Sequence, residues 1–292
     1  MARLLELYPC TKTYLKTKHC LRFFYPMNTF QSIIIGIVEG ITEFLPISST
    51  AHMRITENLL GISNEDNFSK VFTVAIQLGA ILSVVVLYWK KFFQFKNINF
   101  YIKLIIAVIP ALVFGKLLSD KIDTILEKPV IIASIMIIGG IIFLFIESLF
   151  KTHTIDTEEK IDFLTSFKIG LFQCLAILFP GLSRSAATII GGMSLKLTRA
   201  AAAEFSFFLA VPTMLAATVY KLYKYQTENG GFTTHEIQQL AIGNLVAFVV
   251  ALLAIKFFIQ FLQKHGFKIW GYYRIVVGFI LLALIFTGYI QA

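Results

Sequence analysis

The sequence predicts an all-α, polytopic membrane protein: about six transmembrane helices plus two re-entrant helical hairpins, arranged as an inverted repeat. Three observations predict it. Hydrophobic residues make up 57% of the chain and charged residues only 15%, where soluble domains carry about 25% charged residues. Six apolar runs are each long enough to cross roughly 30 Å of hydrocarbon. Two further apolar regions, 29–60 and 164–195, are interrupted at their middles by proline and clustered hydroxyls.

Residues 1–26 hold Arg3, Lys12, Lys16, Lys18 and Arg22 against Glu6. They lack a long apolar core and a small-residue cleavage site, so they do not read as a signal peptide. Apolar periodicity begins after YPMNTFQSIIIG, and 1–26 is expected to be a non-core extension with Met27 the working start. A single membrane domain, 27–292, follows. Its first repeat, about 28–150, opens with the interrupted region 29–60 and continues with spans near 71–89, 100–118 and 129–150. Its second repeat, about 163–289, opens with 164–195 and continues with spans near 200–222, 238–263 and 269–289.

The two interrupted regions carry the repeat. Residues 36–46 read GIVEGITEFLP and residues 170–180 read GLFQCLAILFP, and each proline is followed by a hydroxyl-rich stretch, ISSTAHM or GLSRSAATIIGGM. Three spans follow each, and an odd number inverts the second repeat relative to the first. Apolar segments broken at corresponding positions of two halves point to a midplane binding site. Non-helical backbone at membrane depth is tolerated only inside protein or beside a wet cavity. Both regions are therefore expected to be hairpins that enter from opposite faces and meet tip to tip.

Net charge is +9. In a membrane protein this reflects loop lysines rather than nucleic-acid binding. Lys90, Lys91 and Lys96 follow the first span without an acid, as do Lys264 and Lys268 before the last. The positive-inside rule puts both loops in the cytoplasm, so the first hairpin opens to the outer face. Cys10, Cys20 and Cys174 form no CxxC or Cys/His cluster, and there is no GxxxxGK[ST] loop for a soluble nucleotide.

The polar residues of the hairpins cost too much to be incidental. Glu39 and Glu43, four apart, share a helix face. Together with Arg184 they would cost on the order of 8–10 kcal/mol at membrane depth if unpaired and dry. Pro46 ends the first half-helix, and Ser48, Ser49 and Thr50 stand where the next begins. Capping alone would account for any one of these hydroxyls, and a lone His52 would more often be structural; neither explains the whole group. In the second hairpin Pro180 and Gly181 are followed by Ser183, Arg184, Ser185 and Thr188. Arg184 offers a planar fork for phosphate oxygens, and helix-start N–H groups attract anions. The carboxylates could hold a divalent cation such as Mg²⁺ or Ca²⁺, a hydroxyl beside a base could attack phosphorus, and the arginine could stabilise the transferring oxygens. Other polar residues, Lys103, Lys116, Glu147 and Glu204, are expected to snorkel from span ends.

EGITEFLPISSTAHM and PGLSRSAATIIGGM resemble the two signature stretches of the undecaprenyl-diphosphate phosphatase, or bacitracin-resistance, family. Ala51 and Ala186 stand where that family commonly has glycine. The resemblance implies removal of the terminal phosphate from a polyprenyl diphosphate lipid by a bacterial inner-membrane homodimer, with a site open to the outer face and bacitracin competing for the substrate. It implies an acidic pair at Glu39 and Glu43, Ser49 as candidate nucleophile, a histidine at His52, Arg184 with Ser183 and Thr188 as the phosphate-binding group, and dependence on Mg²⁺ or Ca²⁺. The expected reaction is attack by Ser49 with Glu43 or His52 as base and a metal held by Glu39 and Glu43; direct attack by a metal-activated water is the variant. Ser48, Thr50 and Ser185 are expected to complete the substrate contacts. The alternative is a transporter or lipid flippase using the same midplane site, since broken helices in inverted repeats are also a transporter architecture.

Overall fold

The structure, a computed structural model, describes residues 27–63, 66–126 and 128–290, with 118–126 as backbone alone. The expected extension 1–26, with Cys10 and Cys20, lies outside the described residues.

Each interrupted region is a pair of half-helices. In the first, α1 (Thr29–Thr42) is followed after a turn by α2 (Ser49–Leu59). A capping box starts α1: Asn28 Oδ1 accepts from the Gln31 N–H and Gln31 Oε1 from the Asn28 N–H, both at 2.9 Å. In the second, α8 (Phe163–Leu178) precedes α9 (Arg184–Ser194). Asp162, the counterpart of Asn28, caps α8 by accepting from the Thr165 N–H at 2.7 Å.

Three spans follow each pair. In the first repeat α3 (Asn67–Ala75) and α4 (Gln77–Leu87) together make one span, and the short α5 (Trp89–Phe92) leads to α6 (Ile98–Leu126) and α7 (Pro129–Leu149). In the second repeat come α10 (Arg199–Glu228), α11 (Thr234–His265) and α12 (Lys268–Phe286). All six spans are long and apolar enough to cross a membrane, and side chains such as Leu82, Ile105, Ile141, Leu253 and Phe279 stay exposed on them. Two expectations change. The span predicted as continuous over 71–89 breaks at Ile76, where the Asn244 side chain inserts and accepts from the Gly79 N–H at 2.7 Å. The helix of α6 also runs through 119–126, predicted as loop.

The repeats interlock. Each first half-helix packs on a span of the other repeat through glycine. A Cβ on Gly36 of α1 would lie 2.8 Å from the Gly243 carbonyl oxygen of α11, and one on Gly170 of α8 would collide with the Ala107 carbonyl of α6. Between α7 and α12 the contact is reciprocal. A Cβ on Gly140 would lie 2.8 Å from the Gly271 carbonyl oxygen, and a Cβ on Gly271 would lie 2.8 Å from that of Gly140. Such mutual contact is what two equivalent residues beside a pseudo-twofold axis make, and it fulfils the close approach that paired small residues permit.

Polar contacts sort the helix ends into two groups. At one end Lys91 pairs with Glu158 at 2.6 Å, and Glu147 pairs with Arg199 at 2.8 Å and accepts from the Phe267 N–H at 3.1 Å. At the other, Gln31 donates to the Leu60 carbonyl at 3.0 Å and Tyr225 to Glu236 at 2.7 Å. The outer ends of α1 and α2 belong to the second group and those of α8 and α9 to the first, so the two pairs open toward opposite ends of the bundle. Lys103 does not snorkel as expected: it is buried, and its ammonium donates to the Glu158 and Glu159 carbonyls at 2.9 and 3.0 Å.

Candidate active site

The breaks of the two helix pairs meet, and the second half-helix of each begins at the meeting point. Ser49 is the first residue of α2 and Arg184 the first of α9. Each is preceded by a serine in the left-handed region, Ser48 at φ 71° and Ser183 at φ 74°. Non-glycine residues rarely adopt this conformation, and its cost is tolerated where a site requires it. The Ser48 hydroxyl accepts from the Ala51 N–H and that of Ser183 from the Ala186 N–H, both at 3.4 Å.

Glu43, one residue past the last turn of α1, joins the halves. Its Oε2 accepts from the Ser49 hydroxyl at 2.8 Å, and its Oε1 accepts from Arg184 Nη2 at 3.2 Å. Both side chains of the ion pair are nearly buried, where one charge without the other would be costly. Arg184 Nη1 donates to the Ser206 carbonyl of α10 at 3.1 Å, its guanidinium lies over the Phe44 ring, and its Nε is buried without a partner. Glu39, 1% exposed, faces Glu43 from one turn earlier, and its Oε1 is also buried without a partner. An orphaned buried acceptor in α1 and an orphaned buried donor at the start of α9 leave the site incomplete, since buried polar atoms normally find partners.

The remaining predicted residues divide into those on the breaks and those behind them. Ser185 donates to the Leu45 carbonyl at 3.0 Å, a second link between breaks, and its hydroxyl shares a 2.9 Å bond with Ser183. Thr188 is buried one turn deeper and shares a 2.7 Å bond with Ser206, which places it behind Arg184 rather than beside Glu43. Thr50, the second residue of α2, is partly exposed. His52 turns away from Ser49. Its Nδ1 lies 2.8 Å from the Ser48 carbonyl and its Nε2 2.8 Å from the Tyr273 hydroxyl. A carbonyl can only accept, so Nδ1 carries a proton, and in the neutral ring Nε2 accepts the tyrosine O–H. The group in contact with the Ser49 hydroxyl is therefore the Glu43 carboxylate, not the imidazole.

Sequence reasoning missed three contributors: Ser206, Tyr273 and Arg274. Arg274 is fully buried and donates to backbone carbonyls of both breaks. A signal for it existed, because it is the one charged residue between 269 and 289.

Two carboxylates are what the protein offers a metal ion: among the described residues no group of three or more His, Cys, Asp or Glu side chains could hold one. An oxygen-only pair with an unpartnered Oε1 fits a hard divalent cation that keeps waters and substrate oxygens as its other ligands.

Residues 32–280 match the model of the family described as bacitracin resistance protein BacA. An undecaprenyl-diphosphatase of Flavobacterium johnsoniae is 57% identical over 261 residues, 89% of this chain and 97% of the relative. One of Flavobacterium psychrophilum is 58% identical over 260 residues, with the same coverage. One of Enterococcus faecalis is 44% identical over 266 residues, 86% of this chain and 95% of the relative. The matched stretch runs from α1 into α12 and contains both breaks, and on these grounds the chain belongs to the bacitracin resistance protein BacA family.

Proposed function

We propose that this chain is an integral-membrane phosphatase that removes the terminal phosphate of undecaprenyl diphosphate, releasing inorganic phosphate and undecaprenyl phosphate. One observation carries the reading: a single carboxylate, Glu43, touches a hydroxyl nucleophile on one break and an arginine on the other. The names of the relatives agree with it. Serine, base and guanidinium are the parts that phosphoryl transfer uses, and a pure transporter has no need of an activated hydroxyl.

In the proposed reaction Ser49 Oγ attacks the terminal phosphorus while its proton passes to Glu43 Oε2. The bond from that phosphorus to the bridging oxygen breaks, and undecaprenyl phosphate leaves with the electron pair. Arg184 turns its guanidinium to the equatorial oxygens. Glu43 passes the serine proton to the departing phosphate and is a carboxylate again. A water, giving its proton to Glu43, then attacks the phosphoserine. As the bond from phosphorus to Ser49 Oγ breaks, that proton returns to the serine, releasing phosphate and the serine hydroxyl. Glu39 and Glu43 would hold Mg²⁺ or Ca²⁺, which when bound neutralises phosphate charge. Ser183, Ser185 and the first N–H groups of α2 and α9 receive the remaining oxygens.

The opposed directions of the two helix pairs support re-entrant hairpins in the bilayer. The lysines 90, 91, 96, 264 and 268 lie at the end where α8 and α9 open, which supports a first hairpin open to the outer face of a bacterial inner membrane. The family description supports bacitracin as a competitor for the lipid diphosphate, and the resemblance supports a homodimer.

The test is phosphate release from undecaprenyl diphosphate by purified protein in detergent with Mg²⁺, Ca²⁺ or EDTA, beside Arg184→Ala. Metal-dependent release lost in the variant is expected. No release by folded protein under any condition would turn the reading toward a transporter.

A further inference from the structure

We infer that Arg274 is the positioning residue of the site: it holds the two breaks at one spacing, so that Ser49 and Arg184 address the same phosphorus. The inference rests on the phosphatase reading above.

Arg274 is 0% exposed on α12, and no acidic side chain pairs with it among the described residues. All its partners are backbone carbonyls. Nη1 donates to Pro46 at 3.0 Å and to Leu182 at 2.9 Å, Nη2 to Gly181 at 3.0 Å, and Nε to Met136 of α7 at 3.3 Å. Pro46 and Leu182 lie in different breaks and two residues or fewer from the serines that cap α2 and α9. One nitrogen thus ties the two breaks together.

The chemistry explains the choice of residue. Where a helix is interrupted, its carbonyls lose their N–H partners and must find others when buried. Two breaks facing each other present carbonyls from both sides, and like dipoles pushed together repel. A planar cation with five donors satisfies several carbonyls and offsets that repulsion. Lysine, with a compact ammonium, cannot span the same set. The surroundings are cut to the guanidinium: a Cβ on Gly139 would lie 2.5 Å from Nη2, and Phe143 presents its ring 5.8 Å from the guanidinium carbon. Arg274 touches none of the proposed reacting groups directly, so its effect on them passes through the backbone that carries them.

The experiment compares wild type with Arg274→Ala, Arg274→Lys and Gly139→Ala, the last leaving the charge but displacing the guanidinium. Turnover and KM are measured for phosphate release from undecaprenyl diphosphate with Mg²⁺, and amide hydrogen exchange is measured over 43–51 and 179–188. Expected for Arg274→Ala is a fall in kcat of roughly 100-fold, as a misplacement of about 1 Å produces, with KM within about threefold of wild type. Arg274→Lys recovers part of kcat, and Gly139→Ala falls between. Exchange quickens at both breaks while α4 and α11 keep their protection. A folded Arg274→Ala with wild-type kcat, a loss confined to KM, or unchanged exchange at the breaks overturns the inference. If Arg274→Ala does not fold, the other two variants decide it on the same readouts. If wild type releases no phosphate, the phosphatase reading fails, and exchange at the breaks decides the positioning role by itself.

Discussion

Glu43 and Arg184, 141 residues apart in the chain, meet through a 3.2 Å ion pair at the junction of the two breaks. The same carboxylate receives the hydroxyl of Ser49. This relationship makes the free site a closed electrostatic unit. In the proposed reaction, arriving phosphates would compete with Glu43 for the guanidinium and leave the carboxylate freer to take the serine proton.

Removing the arginine should therefore harm both stability and turnover. Arg184→Ala leaves Glu43 nearly buried without its counter-ion, a loss of about 3–5 kcal/mol for a broken buried pair, read as a lower melting temperature in detergent. Arg184→Lys keeps the charge and loses the fork. It should melt close to wild type and lose roughly 100-fold in kcat. A lysine variant at wild-type turnover would mean that charge alone is needed.

Ser49→Ala and Glu43→Gln separate the covalent route from direct attack by water. Through a phosphoserine, Ser49→Ala should have no measurable turnover above background, and Glu43→Gln should lose about 10²–10⁴-fold as a missing general base does. Acid-quenched wild type should carry phosphate on the peptide containing Ser49, detected by mass spectrometry. Near-full turnover by Ser49→Ala would exclude the serine as nucleophile.

Glu39 bears on the metal. Its Oε1 is buried with no donor of the protein on it. Glu39→Gln removes one of the two proposed anionic ligands and should raise the Mg²⁺ concentration for half-maximal activity about tenfold or more, while saturating Mg²⁺ restores much of kcat. A Mg²⁺ titration curve that does not shift would remove Glu39 from the ligand set.

Much of this arrangement was legible in the sequence because membrane burial raises the cost of every polar residue. The charges of 36–53 and 180–188 stood out against apolar surroundings, and the repeat of GIVEGITEFLP in GLFQCLAILFP aligned the two breaks. What was not legible came from tertiary geometry. Ser206 and Tyr273 matter through single contacts made by distant spans, and nothing local distinguishes them from ordinary span residues. His52 was a candidate base for Ser49 through the resemblance and its polar neighbours, yet its ring reaches Tyr273 of α12 instead. The break at Ile76 depends on Asn244, which approaches from the other repeat.

The tautomer of His52 gives a milder prediction. Tyr273→Phe removes the O–H that reaches Nε2 and leaves the stacked rings in place. Loss of one such hydrogen bond is worth about 0.5–1.5 kcal/mol, so the melting temperature should fall slightly. If His52 acts only as a brace, kcat should change by less than about tenfold, whereas Tyr273→Ala, which also removes the stacking face, should do more damage.

The last prediction concerns how the halves are held together. Gly140 and Gly271 approach each other's carbonyl groups so closely that a Cβ on either would lie 2.8 Å from oxygen. Gly140→Ala or Gly271→Ala must push α7 and α12 apart, and overpacking of this kind costs about 1–3 kcal/mol. Because Arg274 sits one turn from Gly271 on α12, the same displacement should loosen its hold on the breaks and lower kcat as well. Gly115 in α6 is the control, since a Cβ there meets nothing within 4 Å. Gly115→Ala should be neutral or stabilising by up to about 1 kcal/mol through helix propensity. Melting temperature and phosphate release measured on the three variants test both points. Equal behaviour of all three would mean that the α7–α12 contact gives way without effect, and that the site does not depend on how closely those helices pack.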